Sequence, residues 1–168
     1  MATLGINGFG RNGRFVFRAA AANLEITVKG INEPFKDIEY MVYQLKYGSV
    51  HKQLASTVAC KKDGDKEFLV VNGQDVCVFH AKDPASIPSG ACGASYVCES
   101  IGVFTVKEKA GLHIKGGCKR VSTSAPPKDA ATIYGVGVNR EEYKTSDKVV
   151  SNASCTQVVG CVGQSRSP

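Results

Sequence analysis

Near its start the chain reads Gly8-Phe9-Gly10-Arg11-Asn12-Gly13, a G-x-G-x-x-G pattern. Residues 3–7 before it predict a short strand, and residues 11–22, which end in four consecutive alanines, predict a helix. Residues 26–31 are rich in β-branched side chains and predict a second strand. A strand, a helix and a strand in this order predict a parallel pair, and therefore an α/β fold.

In this context the glycine pattern predicts a dinucleotide site. Gly8 permits a tight turn, Gly10 lets the backbone approach a pyrophosphate, and Gly13 lets the helix pack close to the strand. The first N–H groups of the helix would then face the phosphates. Glu33 follows Gly13 by 20 residues and can accept hydrogen bonds from an adenine ribose. Because its charge would repel a 2′-phosphate, the sequence favours NAD over NADP; a glycine-rich turn without a ligand is the alternative.

The rest of the chain predicts further strands and helices around this unit. Residues 68–71 and 76–79 predict a hairpin, because Asn72-Gly73 between them is a strong two-residue turn signal. The other predicted elements are helices at 38–45 and 105–114 and strands at 94–98, 120–124, 132–138 and 148–150.

Composition limits the classes of protein to be considered. The chain has 168 residues, 43% hydrophobic and 21% charged, which excludes a disordered tail and a coiled coil. No apolar stretch reaches the roughly 18 residues of a membrane span, and no secretory signal is visible. A net charge of +6 permits attraction to anions without identifying a partner. Seven cysteines without a C-x-x-C motif favour reduced thiols in a cytoplasmic protein over a disulfide framework or a zinc site.

Several short runs are similar to those of one enzyme family. They are Ile6-Asn7-Gly8-Phe9-Gly10-Arg11, Asn32-Glu33-Pro34-Phe35, Glu39-Tyr40-Met41-Val42-Tyr43, Glu99-Ser100-Ile101-Gly102-Val103-Phe104-Thr105 and Ser151-Asn152-Ala153-Ser154-Cys155-Thr156. On these runs the chain resembles the glyceraldehyde-3-phosphate dehydrogenase family, in register from about residue 4 to residue 156. The resemblance implies a Rossmann-type NAD-binding domain at 1–150, a mostly parallel sheet with flanking helices, and the start of a catalytic domain at 151–168.

The resemblance also implies the family's chemistry. The family is a glycolytic homotetramer that uses NAD and phosphate to convert glyceraldehyde 3-phosphate to 1,3-bisphosphoglycerate. Cys155 would be the nucleophile that attacks the aldehyde to give a thiohemiacetal; hydride then leaves to NAD, and phosphate cleaves the resulting thioester. Ser154 and Thr156, which flank Cys155, would help to bind the substrate phosphate or the attacking phosphate.

The same resemblance assigns the cofactor contacts. Arg11 and Asn12 would contact the pyrophosphate, with the backbone of the Gly8–Gly13 turn, including Phe9. Lys82 would contact the adenine, and Ser124 would lie near the nicotinamide. Four positions depart from the family pattern and bear on how tightly NAD is held: Asn12 in place of Ile, Glu33 in place of Asp, Lys82 in place of Arg and Ile101 in place of Thr.

After Thr156 the sequence leaves the family pattern. None of the three histidines, His51, His80 and His113, matches the family's catalytic histidine. We therefore expect a truncated member of the family that retains NAD binding and the nucleophile position but is inactive by itself. The alternatives are an inactive misspliced or frameshifted product and a module that binds NAD or single-stranded RNA.

Overall fold

The structure is a computed structural model that describes residues 1–48, 54, 56–129, 133–135 and 137–152. It begins with a βαβ unit, in which β1 is Ala2–Asn7, α1 is Arg11–Ala21 and β2 is Ile26–Asn32. β1 and β2 pair in parallel, with Ile6 opposite Ile31. The predicted first unit is therefore confirmed.

The remaining elements extend this pair on both sides. They are α2 (Ile38–Lys46), β3 (Val58–Asp63), β4 (Lys66–Val71), β5 (Gln74–Phe79), β6 (Tyr96–Glu99), α3 (Lys107–Ala110), α4 (Leu112–Lys115), β7 (Arg120–Thr123) and β8 (Val149–Ser151). Within the described ranges the strands form one sheet in the order β3-β4-β5-β2-β1-β6-β7-β8. β3, β4 and β5 are antiparallel, and all other neighbours are parallel. The parallel part, β5-β2-β1-β6-β7-β8, has the strand order of the doubly wound Rossmann fold, which confirms the predicted fold class.

Helices cover both faces of the sheet. Ile6 and Ile31 lie level with each other and belong to the larger core, which includes side chains of α1 and α2. Val97 and Val121 also lie level with each other, and they belong to a second core with side chains of α3 and α4. Val97 pairs with Gly5 of β1, so these two residues point to the same face of the sheet. Ile6 is the next residue after Gly5 and points to the opposite face, because adjacent residues of a strand alternate. The two cores therefore lie on opposite faces of the sheet. Among the described residues, no helix is long and apolar enough to span a membrane.

α1 packs very close to the strand that precedes it. Its buried side chains Phe17 and Ala20 face the larger core, and the Phe17 ring meets the Phe9 ring edge-on, with 5.7 Å between centroids. At Gly13 a Cβ atom would lie only 1.9 Å from the carbonyl oxygen of Gly8. This approach requires a residue without a side chain, as the third glycine of the pattern predicts.

The helix predicted at 105–114 is wrong as a single element. α3 ends at Ala110 and α4 begins at Leu112. The break falls at Gly111, whose carbonyl accepts a hydrogen bond from Ile114 N at 3.0 Å. This three-residue spacing is that of a tighter turn, and glycine is a weak helix former.

The strand predicted at 132–138 is also wrong in its described part. Ile133 forms a single bridge with Ser151, and a turn follows at 137–139. The Asn139 side chain stabilises this turn, because it accepts a hydrogen bond from Gly135 N at 2.8 Å and donates one to the Ile133 carbonyl at 3.1 Å. Such local side-chain bonds compete with strand pairing.

β3 is a strand that the sequence pattern did not predict. Only Val58 of its residues is buried, so it lacks the alternation of a half-buried strand. It lies at the edge of the sheet and is held by main-chain pairing with β4, where Val58 faces Val71. Lys61 and Lys62 are exposed on it.

We expect Gly13→Ala to destabilise the fold, because its methyl group would press on the Gly8 carbonyl. Overpacking of this kind lowers the free energy of unfolding by about 1–3 kcal/mol. Gly10→Ala is the matched control, since a Cβ at Gly10 has no atom within 4 Å and the backbone there is extended. Urea unfolding followed by circular dichroism measures both variants. Equal unfolding midpoints would contradict the packing described for α1.

Candidate functional site

The residues that the sequence singles out follow the carboxyl ends of neighbouring parallel strands. The Gly8–Gly13 turn follows β1, Glu33 follows β2, Lys82 lies three residues beyond β5, and Ser124 follows β7. They therefore share one edge of the sheet. The strand order reverses between β1 and β6, which is where Rossmann folds bind dinucleotides. Ser154, Cys155 and Thr156 lie outside the described residues, as does His51.

The start of α1 is open to an anion. α1 begins at Arg11, and neither a side-chain cap nor an acidic residue is present in its first turn. Its first N–H groups have no partner within the helix and can bind phosphate oxygens. α2 shows the contrast, because its cap residue Asp37 accepts a hydrogen bond from Tyr40 N at 2.7 Å.

Two side chains of this first turn point to solvent. Arg11 and Asn12 are both exposed, so the Asn12 amide can bind water. A buried, unpaired amide would cost about 1–3 kcal/mol, and an exposed one avoids this penalty. The fold therefore tolerates Asn12 at a position where the resemblance implies an apolar residue.

The Glu33 carboxylate supports the glycine turn from the end of β2. Its side chain is 5% exposed. One oxygen accepts a hydrogen bond from Phe9 N at 2.8 Å, and the other accepts one from Phe35 N at 3.1 Å. Lys36 Nζ lies 3.4 Å from the oxygen that Phe9 binds, and it also donates to the Phe9 carbonyl at 3.2 Å. Each carboxylate oxygen has two lone pairs, so the oxygen that Phe35 N binds can also accept a ligand hydroxyl.

Lys82 and Ser124 are positioned by hydrogen bonds of their surroundings. Lys82 is exposed and follows Ala81, whose N–H and carbonyl both bind the Asn32 side chain, at 2.8 and 2.9 Å. The Ser124 hydroxyl donates to Ser100 Oγ at 3.0 Å. Ser124 N donates to the carbonyl of the last residue of β6 at 2.9 Å.

Sequence reasoning gave no role to a row of polar residues at this edge. The row consists of Asn32, Asn7, Glu99, Thr123 and Ser151, which pair in register across β2, β1, β6, β7 and β8. All five are buried. One signal was available in the sequence: each of these strands ends in a polar residue, and in β1, β2 and β6 that residue directly follows a buried apolar one. We call this group the polar row.

Glu99 is the charged member of the polar row. It is 1% exposed, and His113 of α4, its neighbour, is fully buried. The His113 Nε2 atom donates to Glu99 Oε2 at 2.8 Å, and Asn7 Nδ2 donates to the same oxygen. Ile101 N donates to Glu99 Oε1 at 2.9 Å. His113 is thus a core residue.

His80 links the site to a group of surface charges. Its Nδ1 lies 2.7 Å from the Glu33 carbonyl oxygen, and its Nε2 lies 2.9 Å from Glu67 Oε2. Lys62 Nζ lies 3.3 Å from the other Glu67 oxygen. Burial alone would lower the pKa of His80, but the hydrogen bonds to Glu67 and to the Glu33 carbonyl outweigh it and raise the pKa above its ordinary value. The hydrogen bond from His80 in turn lowers the pKa of Glu67.

Three of the described cysteines have the properties of unreactive thiols. Burial raises the pKa of Cys92, of Cys98 and of Cys118, the last to about 11. A thiol with a raised pKa is protonated at neutral pH and is a poor nucleophile. Cys60 and Cys77 are also free.

An uncapped helix start at the switch point of a Rossmann-ordered sheet defines a dinucleotide-binding domain. A sequence model described as "Glyceraldehyde 3-phosphate dehydrogenase, NAD binding domain" matches residues 2–107. This match covers more than half of the chain, so the chain belongs to the glyceraldehyde-3-phosphate dehydrogenase family. NAD is the cofactor of this domain.

Known relatives agree with this assignment. The chain is 52% identical over 153 residues to glyceraldehyde-3-phosphate dehydrogenase 1 of Mucor circinelloides f. lusitanicus, which covers 91% of this chain and 44% of that protein. The identity to the enzyme of Mycosarcoma maydis is also 52%, with the same coverage. The second enzyme of Drosophila pseudoobscura pseudoobscura is 51% identical over 156 residues, covering 93% of this chain and 45% of its own length. The chain thus spans less than half the length of these curated relatives.

We expect stability to fall as the pH rises above about 6.5 and through the raised pKa of His80. The folded state holds this proton more tightly than the unfolded chain, so the contribution is complete below the unfolded pKa and is lost above the folded one. The pair also weakens in acid, as the pH falls through the lowered pKa of Glu67.

Thermal unfolding midpoints measured across this pH range test the expectation. Comparison of the wild type with His80→Gln removes the contributions of the other histidines, which both proteins share. Above about pH 6.5 the curve of the variant should be flatter than that of the wild type. Parallel curves would exclude a stabilising role for the His80 imidazolium.

Proposed function

We propose that this chain is the cofactor-binding part of an NAD-dependent glyceraldehyde-3-phosphate dehydrogenase that acts in the cytoplasm. The NAD pyrophosphate binds at the Gly8–Gly13 turn, where Arg11 and Asn12 contact it, and the adenine ribose binds Glu33. One observation carries the proposal: the uncapped start of α1 lies beside a carboxylate at the end of the adjacent strand, and that carboxylate binds the same turn. The geometry suits a phosphate next to a diol.

The order of the strands supports an orientation for the cofactor. Along the edge, Lys82 follows β5, Glu33 follows β2, the glycine turn follows β1, and Ser124 follows β7. Adenine at Lys82, ribose at Glu33, pyrophosphate at the turn and nicotinamide toward Ser124 match this order.

The proposed chemistry takes place at the nicotinamide end. β8 ends at Ser151, next to β7, and Cys155 is four residues further along the chain. We propose that the Cys155 thiolate attacks the aldehyde carbon of glyceraldehyde 3-phosphate, and that Ser154 and Thr156 bind the substrate phosphate or the attacking phosphate. NAD, when bound, accepts the hydride, and phosphate then displaces the thiolate from the thioester. Residues 151–168 would accordingly be the start of the catalytic domain.

We further propose that the 168 residues by themselves bind NAD without dehydrogenase activity. A general base must deprotonate Cys155, because a thiol is mostly protonated at neutral pH. The two described histidines are already engaged, His80 with Glu67 and His113 with Glu99. The base and the remaining substrate contacts would come from the part of the relatives that this chain does not span. NADH formation from glyceraldehyde 3-phosphate by the purified chain would overturn this proposal.

Isothermal titration with NAD tests the cofactor site, and Gly10→Ala is the variant to compare. Its methyl group meets no protein atom within 4 Å, so folding should be unchanged, but it occupies space that the backbone needs for the pyrophosphate. We expect the variant to bind NAD about tenfold more weakly, which corresponds to roughly 1.4 kcal/mol. The wild type should also prefer NAD to NADP. Absence of saturation at millimolar NAD would refute the proposed site.

A face formed by α1 and α2 favours a second candidate ligand, single-stranded nucleic acid. A groove of about 280 Å³ lies there, and its lining includes Arg11, Arg14, Arg18, Tyr40, Tyr43 and Tyr47. The Tyr43 ring lies 6.1 Å from that of Tyr40 and 4.9 Å from that of Tyr47, between centroids. Basic and aromatic side chains together suit a phosphate backbone with stacked bases. Salt-sensitive binding of an oligonucleotide is the expected result, and self-association of the chain through this face is the competing outcome.

A further inference from the structure

We propose that Asn7, Asn32 and Glu99 are positioning residues of the dinucleotide site. They form one hydrogen-bonded chain, and each immediately precedes, or holds, a loop that carries a proposed NAD contact. The inference rests on the proposed placement of NAD, and it assigns a purpose to three buried polar side chains.

The chain of hydrogen bonds runs across the carboxyl ends of the central strands. Asn32 binds both main-chain groups of Ala81, at 2.8 and 2.9 Å, and donates to Asn7 Oδ1 at 2.7 Å. Asn7 then donates through its Nδ2 to Glu99 Oε2. The Oε1 atom of Glu99 accepts a hydrogen bond from Ile101 N at 2.9 Å. The carboxyl ends of β5, β2, β1 and β6 and the loops after them are thereby held in fixed positions relative to one another.

Each joined position adjoins a proposed cofactor contact. Asn7 precedes the glycine turn at Gly8, Asn32 precedes Glu33, and Ala81 precedes Lys82. These three contacts lie 25 or more residues apart in sequence, so only tertiary interactions can set their spacing. A dinucleotide bridges all three, and its affinity depends on that spacing.

Glu99 also sets the shape of the glycine turn. A Cβ placed on Gly8 would lie 2.7 Å from Ile101 N, the same N–H group that Glu99 holds. The loop after β6 therefore lies directly against Gly8. If Ile101 N lost its hydrogen bond to Glu99, this loop and the turn that carries the pyrophosphate site could both shift.

The direction of each hydrogen bond is fixed, so the role of the hydrogen-bonded chain can be tested by substitution. Asn7 must donate to Glu99 and accept from Asn32, because Glu99 carries only acceptors when ionised. Glu99→Gln turns an amide N–H₂ group toward either the Asn7 amide or Ile101 N, so that one of these donors loses its acceptor, and Asn7→Asp places a carboxylate opposite Glu99. The double variant Asn7→Asp/Glu99→Gln reverses the hydrogen bond between these two residues and keeps the hydrogen-bonded chain connected, with the same total charge. His113 Nε2 shares the Glu99 oxygen that Asn7 binds, so its hydrogen bond reverses too, which the other imidazole tautomer permits.

NAD affinity of the single and double variants tests the inference. We expect each single variant to bind NAD about tenfold more weakly, and the double variant to bind within about threefold of the wild type. Leu69→Ala is the control for stability alone, because Leu69 is fully buried in β4 and belongs to the larger core on the other face of the sheet. It should lower the melting temperature and leave NAD affinity unchanged.

Hydrogen exchange without NAD separates this inference from the proposed cofactor site. The N–H groups of Ile101 and Phe9 should exchange faster in each single variant and return to wild-type rates in the double variant. If the wild type fails to bind NAD, the proposed function fails. The exchange rates then still report whether the hydrogen-bonded chain positions the glycine turn. Folded single variants with wild-type affinity and exchange would overturn the inference. If the single variants do not fold, a folded double variant with wild-type affinity supports it, and a double variant that also fails overturns it.

Discussion

The close approach of α1 to the end of β1 is the constraint on which the site depends. Gly13 lies so near the Gly8 carbonyl that a Cβ atom would come within 1.9 Å of it. Only a hydrogen fits there, and its small size lets the helix begin directly above the edge of the sheet. The unpaired N–H groups of the first turn are thereby brought to the position where the strand order reverses. A longer connection would separate this positive helix end from the other strand ends.

Polar main-chain groups at the same edge of the sheet stabilise two buried charged side chains. Glu33 and Glu99 are both buried, and each carboxylate accepts main-chain N–H groups from the loop that follows a strand. Each charge is thus paired with donors whose positions define the site. Buried polar groups are costly when they are unpaired, so a loop that moves away from its carboxylate loses stability. Stability and site geometry are coupled here through the same hydrogen bonds.

Departures from the predicted elements have local physical reasons. β3 is held by main-chain pairing at an exposed edge, which leaves no hydrophobic pattern to read. The helix predicted at 105–114 is interrupted at Gly111, and the strand predicted at 132–138 gives way to a turn that the Asn139 side chain stabilises. In contrast, the predicted hairpin around Asn72-Gly73 forms, since Asn72 adopts a positive φ of 53° as this turn requires. The Asn-Gly pair was therefore a dependable short-range signal.

The sequence by itself determined the βαβ unit, the glycine turn with Glu33 20 residues after it, and the family, because these are patterns of adjacent residues. Tertiary structure alone decided that the Glu33 carboxylate binds the main chain of the glycine turn, and it alone assembled the polar row. Asn7 meets Glu99 across 92 residues of sequence and His113 across 106. No local periodicity encodes such pairings, since they arise from strand register and from the helix that packs beneath the sheet's edge. The ligand contacts could thus be found in the sequence, whereas the groups that hold them in place could be found only in the fold.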